Sequence, residues 1–393
     1  MWGAVAGLSW RPTLLALSAA GRTRVLGSGA ARRRGVSARS CHGLSDFHPG
    51  LDYEETPLWS FGYRFDPKRY VTDPKLVRTV AKILQKPQKT CQLFMECNPG
   101  PGILTKAFVE SGHKVVALES DSTFIPHLET LQSNWGGKLQ VVHCDFFKLD
   151  PRNGGIVKPP IMLSQMLFKN LGIEAVPWKA GIPFKVIASF PIKNERRILW
   201  KILHDLYSCT SIFRYGRIEL NMFISESEYQ KLVASPRTAP FYQPLSVLWQ
   251  VACDIKLLHV EPCSSFDLCT QNGILEKSGY RAALSQMQQR ICFVRMTPRK
   301  NLFTENLTPI NYDTFFHMTK QCFVKRSARL LDHLPSLSPI DTRDLLKRVN
   351  HLAKLRITNM YPKDFKQLFE TVECFDEYTY KWLYDDIMEE VSV

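Results

Sequence analysis

Three acids follow apolar runs in the first half of this chain, and two glycines stand beside the first of them. Glu96 follows Leu93–Met95, Glu119 follows Val115–Leu118, and Asp145 follows Leu139–Cys144. Gly100 and Gly102 come directly after Glu96, ahead of an amphipathic stretch. Glycines lack the Cβ that keeps a ligand off the backbone, and the first turn of a helix has spare N–H groups. This combination is a cradle for a nucleotide-type cofactor. Glu119, about twenty residues past the glycines, is spaced to accept from two ribose hydroxyls, which fits NAD equally well. Asp145 discriminates: a carboxylate there accepts from an adenine amine and suits S-adenosylmethionine. The missing G-x-G-x-x-G pattern also weakens the dinucleotide reading. The bland alternative for each acid alone is a solvated strand end.

Such acids need strands to carry them. Apolar runs over Cys91–Cys97, Lys114–Leu118, Leu139–Cys144, Lys185–Phe190 and Ile218–Ile224 alternate with helical patterns, including Glu195–Tyr207. Asp254–Val260 and Arg290–Met296 look like a closing pair. Alternating strands and helices imply a mainly parallel sheet covered on both faces, with ligands outside the carboxyl ends of its strands. The expected fold class is α/β, a doubly wound, mainly parallel seven-stranded sheet. Lys148–Ile182 reads as a long functional or flexible connection. After Thr297 the periods turn helical, over Tyr312–Val324, Ser327–Leu334, Asp341–Leu352 and Pro362–Cys374. The expected division is a leader over 1–45, a cofactor-binding domain over 46–300 and a small helical domain over 301–393.

Charge is unevenly spread over the 393 residues, whose net value is +14. Residues 1–45 hold seven Arg and six Ser but no Lys, Asp or Glu, the composition of a mitochondrial transit peptide. A secretory signal is the rival, but Arg22, Arg24 and Arg32–Arg34 lie on the wrong side of the apolar segment. The last thirty residues carry nine acids against Lys366 and Lys381, leaving the body basic. A basic body with an acidic tail is the footprint of a nucleic-acid binder, against the alternative of a merely basic enzyme. No apolar run is long enough for a membrane span. The eleven Cys form no C-x-x-C and no zinc pattern, so no metal is expected and buried free thiols are the simpler reading.

ECNPGPGILT, ALESD and HCDFF, in this order and spacing, resemble the ribosomal RNA adenine dimethyltransferases, and most closely their mitochondrial branch. The resemblance runs from about residue 68 into the helical segment. It implies the S-adenosylmethionine-dependent methyltransferase fold and a cofactor site at Val71, Glu96, Gly100, Gly102, Glu119 and Asp145. Val71 belongs to RYVTD, where the family closes over the methionine end of the cofactor. The family's catalytic Asn-Leu-Pro-Tyr quartet corresponds here to Ser189, Phe190, Pro191 and Ile192. In that chemistry a flipped adenine offers its amine to an Asn oxygen and a backbone carbonyl, while the Tyr ring holds the base. Ser189 is shorter than Asn and Ile192 has no ring, so strong dimethylation is doubtful. Asn98 replaces a family glycine, and Asn tolerates left-handed backbone.

Binding then becomes the stronger expectation. Lys325 and Arg326 lie in a cationic helix junction, Arg295, Arg299 and Lys300 near the last strand, and Phe190 is a candidate wedge. For each the bland alternative is a solvated helix end or a core ring. The resemblance implies promoter DNA at Lys325 and Arg326, with mitochondrial RNA polymerase and mitochondrial transcription factor A as partners. It also implies small-subunit ribosomal RNA as an alternative substrate, and a place in the mitochondrial matrix and nucleoid.

Overall fold

The computed structural model describes residues 68–84, 92–151, 163–269, 275–277, 290–337 and 352–374. The leader, the acidic tail beyond Cys374 and most of the helix expected over Asp341–Leu352 lie outside the described residues. A two-residue strand, β1 (Arg69–Tyr70), leads into α1 (Pro74–Leu84). Asp73 starts that helix, because its Oδ1 accepts from the N–H of Lys75 at 2.6 Å and of Leu76 at 3.2 Å. Pro74 costs nothing in the first turn, where its missing N–H would have had no partner.

The main sheet contains β2 (Leu93–Cys97), β3 (Lys114–Glu119), β4 (Leu139–His143), β5 (Lys185–Ser189), β6 (Glu219–Ser225), β7 (Cys253–Pro262) and β10 (Arg290–Pro298). Its order is β4-β3-β2-β5-β6-β10-β7. β4 through β6 pair in parallel, and β10 runs antiparallel to both neighbours. This is the seven-stranded sheet of the S-adenosylmethionine-dependent methyltransferase fold. The strand order reverses at β2, so a crevice opens at the carboxyl ends of β2 and β5. β1 pairs instead with β8 (Asp267–Cys269), which pairs with β9 (Leu275–Lys277), in a small antiparallel sheet that the sequence reading lacked.

Helices α2 (Ile103–Glu110), α3 (Ile125–Asn134), α4 (Ser164–Asn170), α5 (Glu195–Tyr207), α6 (Glu226–Leu232) and α7 (Pro244–Ala252) connect the strands. The period of two along each strand splits the interior into two apolar clusters. Phe94, Val115, Ala117, Ile187 and Phe293 face one, together with α1 and α2. Met95, Val116, Leu118, Val186 and Val294 face the other. Both faces are therefore covered, as the continuous apolar runs required. After β10 come α8 (Tyr312–Val324), α9 (Leu330–Leu337) and α10 (Pro362–Glu373). Phe315 of α8 and Leu368 of α10 join the same cluster as Leu203 of α5 and Trp249 of α7. Cys97, Cys253, Cys263, Cys292 and Cys322 are buried and free, and Cys144 is buried. Among the described residues no helix is long and apolar enough to cross a membrane.

Candidate functional site

The acids stand at the carboxyl ends of three adjacent strands, Glu96 on β2, Glu119 on β3 and Asp145 just after β4. Glu119 is fully buried, with 0% exposure. One of its oxygens accepts from Gly100 N–H at 2.9 Å, the other from the N–H of Ser120 at 2.8 Å and of Asp121 at 2.7 Å. Burial pushes this carboxyl up, while those donors pull it back. A carboxylate offers about four lone-pair sites, so room remains for about one further donor such as a ribose hydroxyl. Asp145 accepts from Phe147 N–H at 3.2 Å and meets Lys148 Nζ at 3.1 Å.

The glycine turn has a packing reason beside the one its sequence suggests. Gly100 has φ +59°, and a Cβ there would stand 2.4 Å from Cδ1 of the buried Tyr70 ring. Gly102 has φ +72°, and its Cβ would meet Leu128 and Leu131 at 2.8 and 2.9 Å. Protein side chains therefore already demand glycine at both positions. Gly100→Ala is expected to cost about 2–4 kcal/mol, from left-handed strain plus overpacking against a ring. Urea unfolding measures it, and a loss under about 1 kcal/mol would mean Tyr70 moves aside freely. Asn98 takes φ +54°, the left-handed geometry expected of it. Its Oδ1 accepts from Ser120 Oγ at 2.5 Å, and Lys68 donates to that hydroxyl in turn.

Alternation along β1 turns Tyr70 onto Gly100 and leaves Arg69 and Val71 lining a recess with Glu96, Asn98 and Ser189. Glu96 accepts from Thr105 Oγ1 at 2.6 Å. Burial, and then the neighbouring Glu119 charge, push its carboxyl up to about 7 against the pull of Thr105. Folding then favours the protonated acid, so stability should fall as pH rises from 4.5 to about 7. The expected loss is about 3 kcal/mol, and Glu96→Gln, which still accepts from Thr105, should flatten that slope in urea titrations. An unchanged slope in the variant would assign the titration elsewhere.

At the recess wall, Ser189 Oγ is buried and has no hydrogen-bond partner among the described residues. Phe190 has 0% exposure, and its ring packs edge-on against Phe147 at 5.3 Å. This overturns its reading as a wedge for nucleic acid, because a ring buried in the core is not available to bases. The carbonyl of Phe190 accepts from the Arg69 guanidinium at 3.3 Å. Arg69 in turn pairs with Glu195 at 2.9 Å, the two being 3% and 7% exposed. Glu195 also accepts from Ser225 N–H at 3.0 Å and Ser225 Oγ at 2.5 Å. Pro191 is buried and Ile192 half-buried.

The structure thus brings Val71, Glu96 and Ser189 to one recess, with Glu119 and Asp145 on the adjoining strand ends. Sequence reasoning missed Arg69, although it lies two residues before Val71 and so on the same face of an extended strand. Its partner Glu195 is 126 positions away, and no local pattern joins them. Lys325 and Arg326 are exposed after α8, where Arg326 donates to the carbonyl of Ala239. Arg295 is engaged by the Glu219 carboxylate at 3.5 Å, whereas Arg299 is exposed and donates only to the Gln250 carbonyl at 3.3 Å.

S-adenosylmethionine presents an ammonium, two ribose hydroxyls and an adenine amine, all of them donors. Three buried carboxylates at successive strand ends, plus the unpartnered Ser189 hydroxyl, fit that donor set. A comparison with known families matches residues 63–373 to ribosomal RNA adenine dimethylase. The chain is 55% identical to human mitochondrial dimethyladenosine transferase 2, over 99% of this chain and all of that one. The mouse protein of the same name is 51% identical over 97% of this chain and 98% of its own. Among solved structures, a dimethyladenosine transferase from Plasmodium falciparum aligns with a TM-score of 0.49 and 16% identity, covering 76% of this chain and 95% of that one. With the carboxylates, glycine turn and quartet position in one crevice, the chain belongs to the ribosomal RNA adenine dimethylase family, whose cofactor is S-adenosylmethionine.

Proposed function

We propose that this chain is a mitochondrial transcription initiation factor that retains the cofactor crevice of its family. The observation that carries this reading is the quartet. Ser189 has no amide oxygen to hold an amine. Ile192 offers no ring to hold a base in line. Methyl transfer relies on positioning, and a 1 Å error costs about a hundredfold. The crevice acids remain, so Val71, Glu96, Gly100, Gly102, Glu119 and Asp145 would hold S-adenosylmethionine, which supplies the methyl group in this family.

The domain over 46–300 then serves as a scaffold, and the helical domain over 301–393 carries the nucleic-acid contacts. Lys325 and Arg326 bind promoter DNA through its phosphates, which gives affinity without sequence readout. The partners are the mitochondrial RNA polymerase and mitochondrial transcription factor A, in the matrix nucleoid. An acid-free, Arg-rich leader and relatives named mitochondrial support that location.

The second reading is dimethylation of two adjacent adenines in small-subunit mitochondrial ribosomal RNA. It is favoured by the names of the relatives and by the intact carboxylates. One experiment separates the two. Promoter transcription with the polymerase is measured beside S-adenosylhomocysteine binding, for the wild type and for Glu119→Ala and Asp145→Ala. Transcription that persists after cofactor binding is lost is the expected result. A wild type that does not raise promoter transcription would overturn the factor reading, and transcription falling in step with cofactor binding would overturn the claim that methyl transfer is dispensable.

A further inference from the structure

Two buried carboxyls stand on adjacent strands of the crevice, but their surroundings are unequal. Glu119 takes three backbone N–H donors, and the Lys68 ammonium lies within its field. Glu96, on the neighbouring strand and 4% exposed, has one hydrogen-bond donor among the described residues, Thr105 Oγ1 at 2.6 Å. A single neutral hydroxyl does not replace the hydration of a buried charge. Two acids in one site also resist joint ionisation. As pH falls, the first proton of the pair therefore goes to Glu96.

Among the described residues no Lys, Arg or His pairs with Glu96. Arg69, on β1, lines the same recess, but its guanidinium is paired with Glu195 at 2.9 Å. Lys68 donates to Ser120 Oγ. Asp145, beyond β4, is met by Lys148. The thiol of Cys97, which burial pushes well above its ordinary range, is neutral, as are Asn98 and Ser189. What Glu96 lacks is a cationic partner. The amino-acid end of S-adenosylmethionine carries one, its ammonium group. Val71, the residue read as closing over that end, lines the recess together with Glu96.

We propose that the amino-acid end of the cofactor enters this recess with loss of a proton from Glu96 to solvent, so that loading of the crevice is coupled to pH. This rests on the cofactor reading of the crevice and gives Glu96 the ammonium, leaving the ribose to Glu119. Burial, and then Glu119, push the Glu96 carboxyl up to about 7, so below that pH it is mostly protonated in the free protein. An ammonium beside it favours the carboxylate, and binding tightens as pH rises toward 7. Above that value the acid is already ionised and this dependence ends.

The test uses the full chain and calorimetric titration with two probes. S-adenosylhomocysteine carries the amino-acid end. 5′-Methylthioadenosine keeps the base and ribose but lacks that end, so it reports the Glu119 side alone. Affinity for S-adenosylhomocysteine, relative to 5′-methylthioadenosine, is expected to rise about tenfold per pH unit from about pH 5.5 and to level off near neutrality. At about pH 6, titrations in two buffers of different ionisation enthalpy should show about one more proton released with the first probe than with the second. Glu96→Gln keeps an acceptor for Thr105 but holds no titrating proton. It should abolish both effects, binding S-adenosylhomocysteine about thirtyfold more weakly than the wild type at about pH 7.5 and about equally at pH 5.5. A merely structural role would instead weaken both probes alike at every pH, and that result would overturn the proposal. So would equal pH slopes for the two probes in the wild type, or a slope that survives in the variant. A wild type that binds neither probe would overturn the cofactor reading itself, and the proposal with it.

Discussion

Glu195→Ala is expected to lose about 3–5 kcal/mol of folding free energy, the largest effect of any single substitution considered for this chain. Glu195 is the sole carboxylate on the Arg69 guanidinium among the described residues, and it also takes both donors of Ser225. Removing it leaves an ionised guanidinium buried against a single carbonyl, that of Phe190. The penalty is the desolvation of the orphaned charge rather than the attraction lost. For that reason Arg69→Met with Glu195→Leu should recover most of the stability, since buried ion pairs often break even against apolar replacements. Urea unfolding of the two single variants and the double variant makes the cycle. Costs that simply add would show that the pair is not coupled.

The second large effect is a gain. Ser189→Asn with Ile192→Tyr restores the acceptor and ring of the family quartet, and should raise methyl transfer to an adenine-containing hairpin by about a hundredfold. The cofactor-side acids need no change. Ser189 already lines the recess with an unpartnered hydroxyl, so its position faces the site rather than the core. Arg69 takes one of the two lone pairs of the Phe190 carbonyl and leaves the other open. Transfer of tritiated methyl groups measures the rate. No increase, with cofactor affinity intact, would show that the defect lies in Arg69 or in substrate binding.

Much of the fold was legible because its signals are local. The run Lys185–Phe190 had to be a buried strand, and it is one through Ser189. Tyr312–Val324 has the helical period and is a helix over those residues. The small sheet of β1, β8 and β9 escaped notice because its strands are two or three residues long and carry no periodicity. At the site, Glu96, Glu119 and Asp145 were legible as acids ending apolar runs. The Arg69–Glu195 pair was not, since its two residues meet only when β1 lies across the start of α5.

The amino-acid sequence by itself determined the alternation of strands and helices, the acids at strand ends, the glycines in the turn and the degenerate quartet. Each depends on neighbours within a few residues, where backbone sterics and side-chain period act directly. Only the tertiary structure decided what those residues face. It packed Tyr70 on Gly100, gave Glu119 three backbone donors, turned Phe190 into the core and set Arg69 on its carbonyl. It also brought the Tyr242 hydroxyl onto the Met360 carbonyl, 118 positions away. Those outcomes depend on long-range packing and on the cost of burying charge, neither of which leaves a trace in local spacing.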